Sequence, residues 1–180
     1  MGMLSVKQFN VEELRVVATD RVDAYLEQWR TERPDLDPAP MGVVGRLSRA
    51  SQLVDRELRT FFAEHGLQPG EFDILATLRR AGAPHRLSAG ALADSSMVTS
   101  GAITNRIDRL VAKGYVTRET DPQNRRSVLI TLTDAGRELV DDLAGAHLEN
   151  ERRLLEPLTP AQQEQLAGLL RRLLAGLGDV

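Results

Sequence analysis

The stretch Leu87–Leu132 constrains the fold more than any other part of the chain. Ser88 is placed to cap a short helix through Ala93. After Asp94–Val98, Thr99 can cap a longer helix that ends near Lys113-Gly114. Tyr115–Thr120 and Ser127–Leu132 then alternate like strands around the polar loop Asp121-Pro-Gln-Asn-Arg-Arg126. A short helix, a tight turn, a second helix and a hairpin, in that order, spell a helix-turn-helix followed by a wing.

Charge points the same way. The 180 residues carry 23 Lys/Arg and 26 Asp/Glu, a net charge of −3. Residues 86–130 alone carry seven Lys/Arg and four Asp/Glu, a local surplus of +3. Phosphate contacts depend on local rather than total charge, so a basic patch on an acidic body suits double-stranded DNA.

The flanking segments are helical and apolar-striped. Val11, Leu14, Ala18, Val22, Tyr25 and Trp29 give a first helix over 11–30. Pro34, Pro38 and Pro40 mark a linker at about 31–40. A long helix over 41–65 ends at Gly66, and Pro69-Gly70 open another with Phe72, Leu75 and Leu78 as its apolar side. Thr133 begins a long helix to Leu155, Pro157 ends it, and Thr159-Pro-Ala-Gln162 caps a last helix rich in leucine. The expected fold is mainly α with a small β wing. Its parts are an N-terminal helix and linker (1–40), a winged helix-turn-helix (67–132), and a helical dimerisation region (41–66 and 133–180). The wide apolar stripes at both ends need a surface beyond one small core, and a second copy in a two-fold dimer is the economical one.

Within the helix Ser100–Lys113, Ile103, Ile107, Leu110 and Val111 form the core side. Gly101, Thr104, Asn105, Asp108 and Arg109 project elsewhere. Small residues and free N–H groups at a helix N-terminus suit phosphates, and Asn105 and Arg109 have the chemistry to read base edges. Arg125 and Arg126 at the loop tip fit a minor groove, with Asp121 expected to pair with one of them. The expected DNA-contacting set is therefore Ser88, Thr99, Ser100, Gly101, Thr104, Asn105, Arg109, Asp121, Arg125 and Arg126.

Other classes find little support. No run of about 18 apolar residues exists to span a membrane, and the N-terminus lacks signal-peptide order, so a cytoplasmic protein is expected. There is no cysteine. His65, His85 and His147 stand isolated, which leaves no metal pattern and no cofactor implied, and no nucleophile or nucleotide fingerprint points to an enzyme. The alternative is a winged-helix module that binds ligand or protein and does not read DNA.

Leu92-Ala-Asp94, the Thr99–Lys113 helix, Gly114-Tyr-Val116, the wing loop and Leu132-Thr-Asp-Ala-Gly136 together resemble the MarR family of bacterial transcription regulators. The resemblance covers about 41–177, with Asn124 where many members have Asp. It implies a dimeric, mostly helical fold with recognition helices in successive major grooves of a palindromic site and wings in the minor groove. It also implies repression relieved by a small phenolic or anionic ligand.

A narrower resemblance is to the family's urate-responsive branch, which carries an extra N-terminal helix. It implies a ligand site of Trp29, Asp73, Arg106 and Arg118 for a urate-like anion. The residues support part of this. Arg106 flanks the core side of its helix, and Arg118 alternates with Val116, so both lean inward and need an anionic partner, either Asp73 or a bound anion. Periodicity groups Asp73 with Thr77 and Arg80 on a solvent-facing side, so its ligand role comes from the resemblance.

Overall fold

The computed structural model describes residues 19–68, 70–95 and 103–179. They form α1 (Arg21–Glu32), α2 (Ala39–Glu64), α3 (Glu71–Arg80), β1 (Arg86–Ser88), α4 (Ala89–Ser95), α5 (Ile103–Ala112), β2 (Val116–Thr120), β3 (Val128–Leu132), α6 (Asp134–Leu155) and α7 (Pro160–Gly176). Two compact units divide between Leu53 and Val54, inside α2 and not in the proline-rich linker.

In the first unit, Asp20 starts α1. Its carboxylate accepts the Val22 and Asp23 N–H groups, and Asp23 returns the bond to the Asp20 N–H. This capping box satisfies amides that the first turn cannot. Arg46 of α2 grips both carboxylates. Val22 and Leu26 bury against α2, where Gly45 and Gly42 let the helices approach. The apolar stripe thus differs from the one expected. Leu26 takes the inward position, while Tyr25 and Trp29 stay 52% and 42% exposed. Val11, Leu14 and Ala18 lie outside the described residues. The linker also ends earlier than expected. Asp37 accepts the Ala39 N–H, and Pro40 falls in the first turn of α2, where its missing N–H removes no helical bond.

The second unit is built around α3, which packs on α4, α5, α6 and β3. Being enclosed on several sides, it buries Ile74, Leu75 and Leu78 completely, and Phe72 nearly so. Each large aliphatic side chain removed from water in this way contributes about 2 kcal/mol. This corrects the expected solvent face. Thr77 is buried, Asp73 is half-buried, and Arg80 lies over Thr77 with Nη2 donating to its hydroxyl at 2.9 Å. Before α3, α2 brings Phe61 and Phe62 into the core and ends at Gly66, whose φ of +70° reverses the chain where a side chain would be strained.

The sheet runs β1-β3-β2, antiparallel throughout. The hairpin β2–β3 follows the expected bounds to within a residue. β1 was not expected, because three residues carry no readable alternation. Ser88 ends β1 and its hydroxyl accepts the Ala91 N–H, starting α4 as anticipated. At the other end of the chain, Thr159 and Gln162 form the expected capping box of α7.

The wing root is tied to α6 by Thr133 and Gly136. The Thr133 hydroxyl accepts the Gly136 N–H and lies 2.8 Å from the Gly114 carbonyl. A Cβ on Gly136 would stand 2.1 Å from the Tyr115 carbonyl oxygen, so only glycine lets this helix start reach the strand. Gly136→Ala is therefore expected to destabilise the fold by about 3 kcal/mol, as overpacking against rigid backbone does. Urea unfolding measures it; a loss below 0.5 kcal/mol, roughly the scale of a neutral surface change, would mean the contact relaxes freely.

Candidate nucleic-acid interface

The apolar side of α5 buries Ile103, Ile107 and Leu110 in the core. Thr104 and Asn105 face solvent on the other side. Thr99, Ser100 and Gly101, expected at the start of this helix, lie outside the described residues. Ser88 is half-buried with its oxygen engaged by the α4 amide, so its first role is that of a cap.

Arg109 departs from expectation. Helical spacing projects it outward with Asn105, but its Nε donates to Oε1 of Glu71 at 2.8 Å. Lys113, four residues on and just past the end of α5, donates to Oε2 of the same carboxylate at 2.6 Å and to the Gly66 carbonyl at 2.8 Å. The Gln68 N–H gives Glu71 a third donor. Glu71 itself is fully buried. Burial pushes its carboxyl pKa up, but the Gln68 amide, Lys113 and Arg109 outweigh that and hold it below the ordinary carboxylate range. The correction is physical: a buried carboxylate demands donors, and α5 and the residue just past its end supply two cations. The sequence carried a signal for this. Glu71 lies in line with Ile74, Leu75 and Leu78, a charge on an otherwise apolar stripe.

Arg118 and Ile130 are direct partners in the β2–β3 register, which puts both on the core side of the sheet. The long stem follows that face while the head reaches out. It pairs with Asp108 of α5, at 2.8 Å. Arg118 lines a hollow of about 70 Å³ with Thr104, Ile107, Ala89, Val128 and Ile130. Arg106 is half-buried, with Nη1 removed from solvent, as the inward lean implied. An open cleft of about 400 Å³ lies beside Thr77, Arg80, Ala81, Leu87 and Ser95. Trp29 belongs to the first unit and the other three expected ligand residues to the second.

The wing tip is a closed turn built from backbone. The Asp121 N–H donates to the Ser127 carbonyl, and the Asn124 N–H to that of Asp121. Asp121 Oδ1 accepts the Gln123 N–H and Asn124 Oδ1 accepts the Arg126 N–H. Asp121 was expected to pair with an arginine; instead it forms an Asx turn with its own loop. Among the described residues, Arg125 and Arg126 have no carboxylate partner, and both are exposed. By contrast Arg86 pairs with Glu119, Arg118 with Asp108, and Arg109 and Lys113 with Glu71. The positive surplus of the central stretch therefore concentrates at the wing tip.

With this geometry in place, comparison with known proteins is direct. The family model for the MarR family matches residues 67–128. The chain is 44% identical over 151 residues to the HTH-type transcriptional regulator PecS of Dickeya dadantii, covering 84% of this chain and 91% of that one. A MarR family transcriptional regulator from Streptomyces coelicolor, solved in complex with DNA, superposes with a TM-score of 0.71 at 26% identity, over 79% of this chain and 89% of the other. BpsR of Bordetella bronchiseptica, whose DNA binding is regulated by 6-hydroxynicotinic acid, gives 0.66 at 27% identity, over 73% and 97%. The chain belongs to the MarR family. It is a winged-helix, DNA-binding transcription regulator and not an enzyme.

The state of Glu71 sets a pH dependence. Its contacts need the ionised form, and its folded pKa is depressed. The stability it contributes is complete above the unfolded-state value of about 4.3 and is lost as pH falls through the folded value. Unfolding free energy should decline below about pH 4.3, and decline less steeply in Glu71→Gln. Parallel wild-type and variant profiles in urea titrations at stepped pH would detach Glu71 from the acid transition.

Proposed function

We propose that this regulator is a repressor that binds a palindromic operator as a homodimer and is released by a small anionic ligand of the urate class. The observation that carries the DNA-reading part is the wing tip: two adjacent exposed arginines with no carboxylate partner among the described residues. Arg inserted into a narrow minor groove meets enhanced negative potential. Thr104 and Asn105 on the exposed side of α5 then face the major groove. Ser88, Thr99, Ser100 and Gly101 are assigned to phosphate contacts. Asp121 shapes the loop, and Arg109 acts from the Glu71 pair.

Two-fold pairing is supported by α6 and α7. The α7 helix buries none of its residues within the chain, and Leu148, Leu155, Leu169 and Leu174 stay exposed. So much apolar surface on two adjacent helices suits a second copy, and paired modules read two half-sites.

For the ligand we assign Trp29, Asp73, Arg106 and Arg118. Guanidinium groups, Arg106 half-buried and Arg118 exposed, suit a planar, delocalised anion. The hollow under Arg118 is too small for such a molecule, whereas the cleft beside Thr77 and Arg80 falls within the size of small-molecule sites, about 300–1,000 Å³. A ligand that draws Arg118 from Asp108, or Arg106 inward, acts directly on α5. The shift in DNA affinity would equal the ligand's differential affinity for the two states, typically ~1–3 kcal/mol. BpsR, whose DNA binding is regulated by 6-hydroxynicotinic acid, supports such coupling.

Arg125→Ala with Arg126→Ala should weaken operator binding strongly and lower the slope of log affinity against log salt by roughly two, one for each lost phosphate contact. Unchanged binding to the chain's own upstream region would remove the wing from the interface. Titrating urate into the labelled operator complex is expected to release DNA at millimolar concentration or below. Constant affinity there would exclude urate as effector.

A further inference from the structure

The apolar side of α5 fixes which face turns inward, but apolar contact is non-directional and does little to set position along the helix axis. Directional bonds do that. Two of those on this helix and its end are Asp108 to Arg118 of β2, on the exposed side, and the double grip of Arg109 and Lys113 on Glu71. The first joins two roughly half-exposed side chains and is worth little. The second centres on a fully buried carboxylate at the first position of α3, the most enclosed helix of the unit. Arg109 and Lys113 lie four residues apart and take one oxygen each. A single carboxylate so held cannot follow α5 if it slides or rotates. Lys113 also binds the Gly66 carbonyl, so the grip reaches the corner between α2 and α3.

We propose that Glu71 is a positioning residue for DNA recognition: by clamping Arg109 and Lys113 it sets the axial position and rotation of α5, and so where Thr104 and Asn105 meet the bases. Glu71 touches no DNA in this account, and Arg109 acts through Glu71 and not as a base reader. Base discrimination needs side chains held within about 0.5 Å of the productive geometry. The inference rests on α5 being the helix that reads DNA.

Electrostatics alone and positioning predict opposite signs. Glu71→Gln removes a negative charge beside α5. If charge alone mattered, operator and unrelated DNA would both bind more tightly. If Glu71 positions the helix, operator affinity falls about tenfold, the loss of one charge-assisted hydrogen-bond set, while affinity for unrelated DNA holds or rises. The quantity to measure is the ratio of the two affinities in the full-length protein, by fluorescence anisotropy at fixed salt. A double-mutant cycle with Arg109→Gln sharpens it. Positioning predicts that Glu71→Gln with Arg109→Gln loses no more discrimination than the worse single variant. Additive losses would return Arg109 to direct base reading and overturn the proposal, as would an unchanged ratio in Glu71→Gln. If Glu71→Gln does not fold, Lys113→Gln alters a more exposed member of the same clamp. A lowered ratio there supports the proposal and an unchanged one overturns it. Asn105→Ala separates the two levels. If it leaves operator affinity intact, the reading of α5 as the recognition helix fails. If it weakens binding while the clamp variants do not, only the positioning role fails.

Discussion

One buried carboxylate sets the conditions for the rest of this structure. Glu71 sits at the start of the most enclosed helix, where an unpaired charge would be intolerable. Its needs are met by the Gln68 amide, by Arg109 of α5 and by Lys113 just past the end of that helix. The first turn of a helix also favours a negative charge, because its free N–H groups point that way. The outcome is that the core helix and α5 are held by directional bonds as well as by apolar packing. The same pairing drains positive charge from α5 and leaves the wing tip as the more strongly positive surface.

The division of labour among the arginines follows from where carboxylates stand. Arg86 and Arg118 lie along the sheet, each opposite an acidic side chain, and they brace β1 to β2 and β2 to α5. Arg79 bridges α3 to Asp141 of α6. These pairs are exposed enough to be weak singly. Their value is geometric, since each joins two different elements. Arg125 and Arg126 lie beyond the reach of any such partner among the described residues, on a loop that closes through its own amides.

Much of this architecture was legible in the chain. The order of helix, helix and hairpin, the Ser88 and Thr159 caps, and the Gly66 stop depend on local chemistry that three or four residues encode. What escaped was non-local. Arg109 looked outward because a helical wheel knows nothing of the carboxylate on another helix. Thr77 and Asp73 looked solvated because one apolar stripe was assumed, whereas α3 is covered from several directions. Tyr25 and Trp29 were read by spacing as part of the apolar stripe of the first helix, yet it is Leu26 that meets the surface Gly42 leaves open. Asp121 was given to an arginine when its own loop amide was nearer. The leucines of α6 and α7 were read as a surface for a second copy, which a single chain cannot display.

The wing loop carries a further consequence. Its shape comes from main-chain bonds and from the short side chains of Asp121 and Asn124, while the charged side chains of Arg125 and Arg126 take no part in closing it. Asn124 does with an amide oxygen what Asp would do with a carboxylate. Form and charge are therefore separable at this tip. Substitutions at the two arginines change the charge of the tip and leave the bonds that close the turn in place, so this surface can vary without risking the fold.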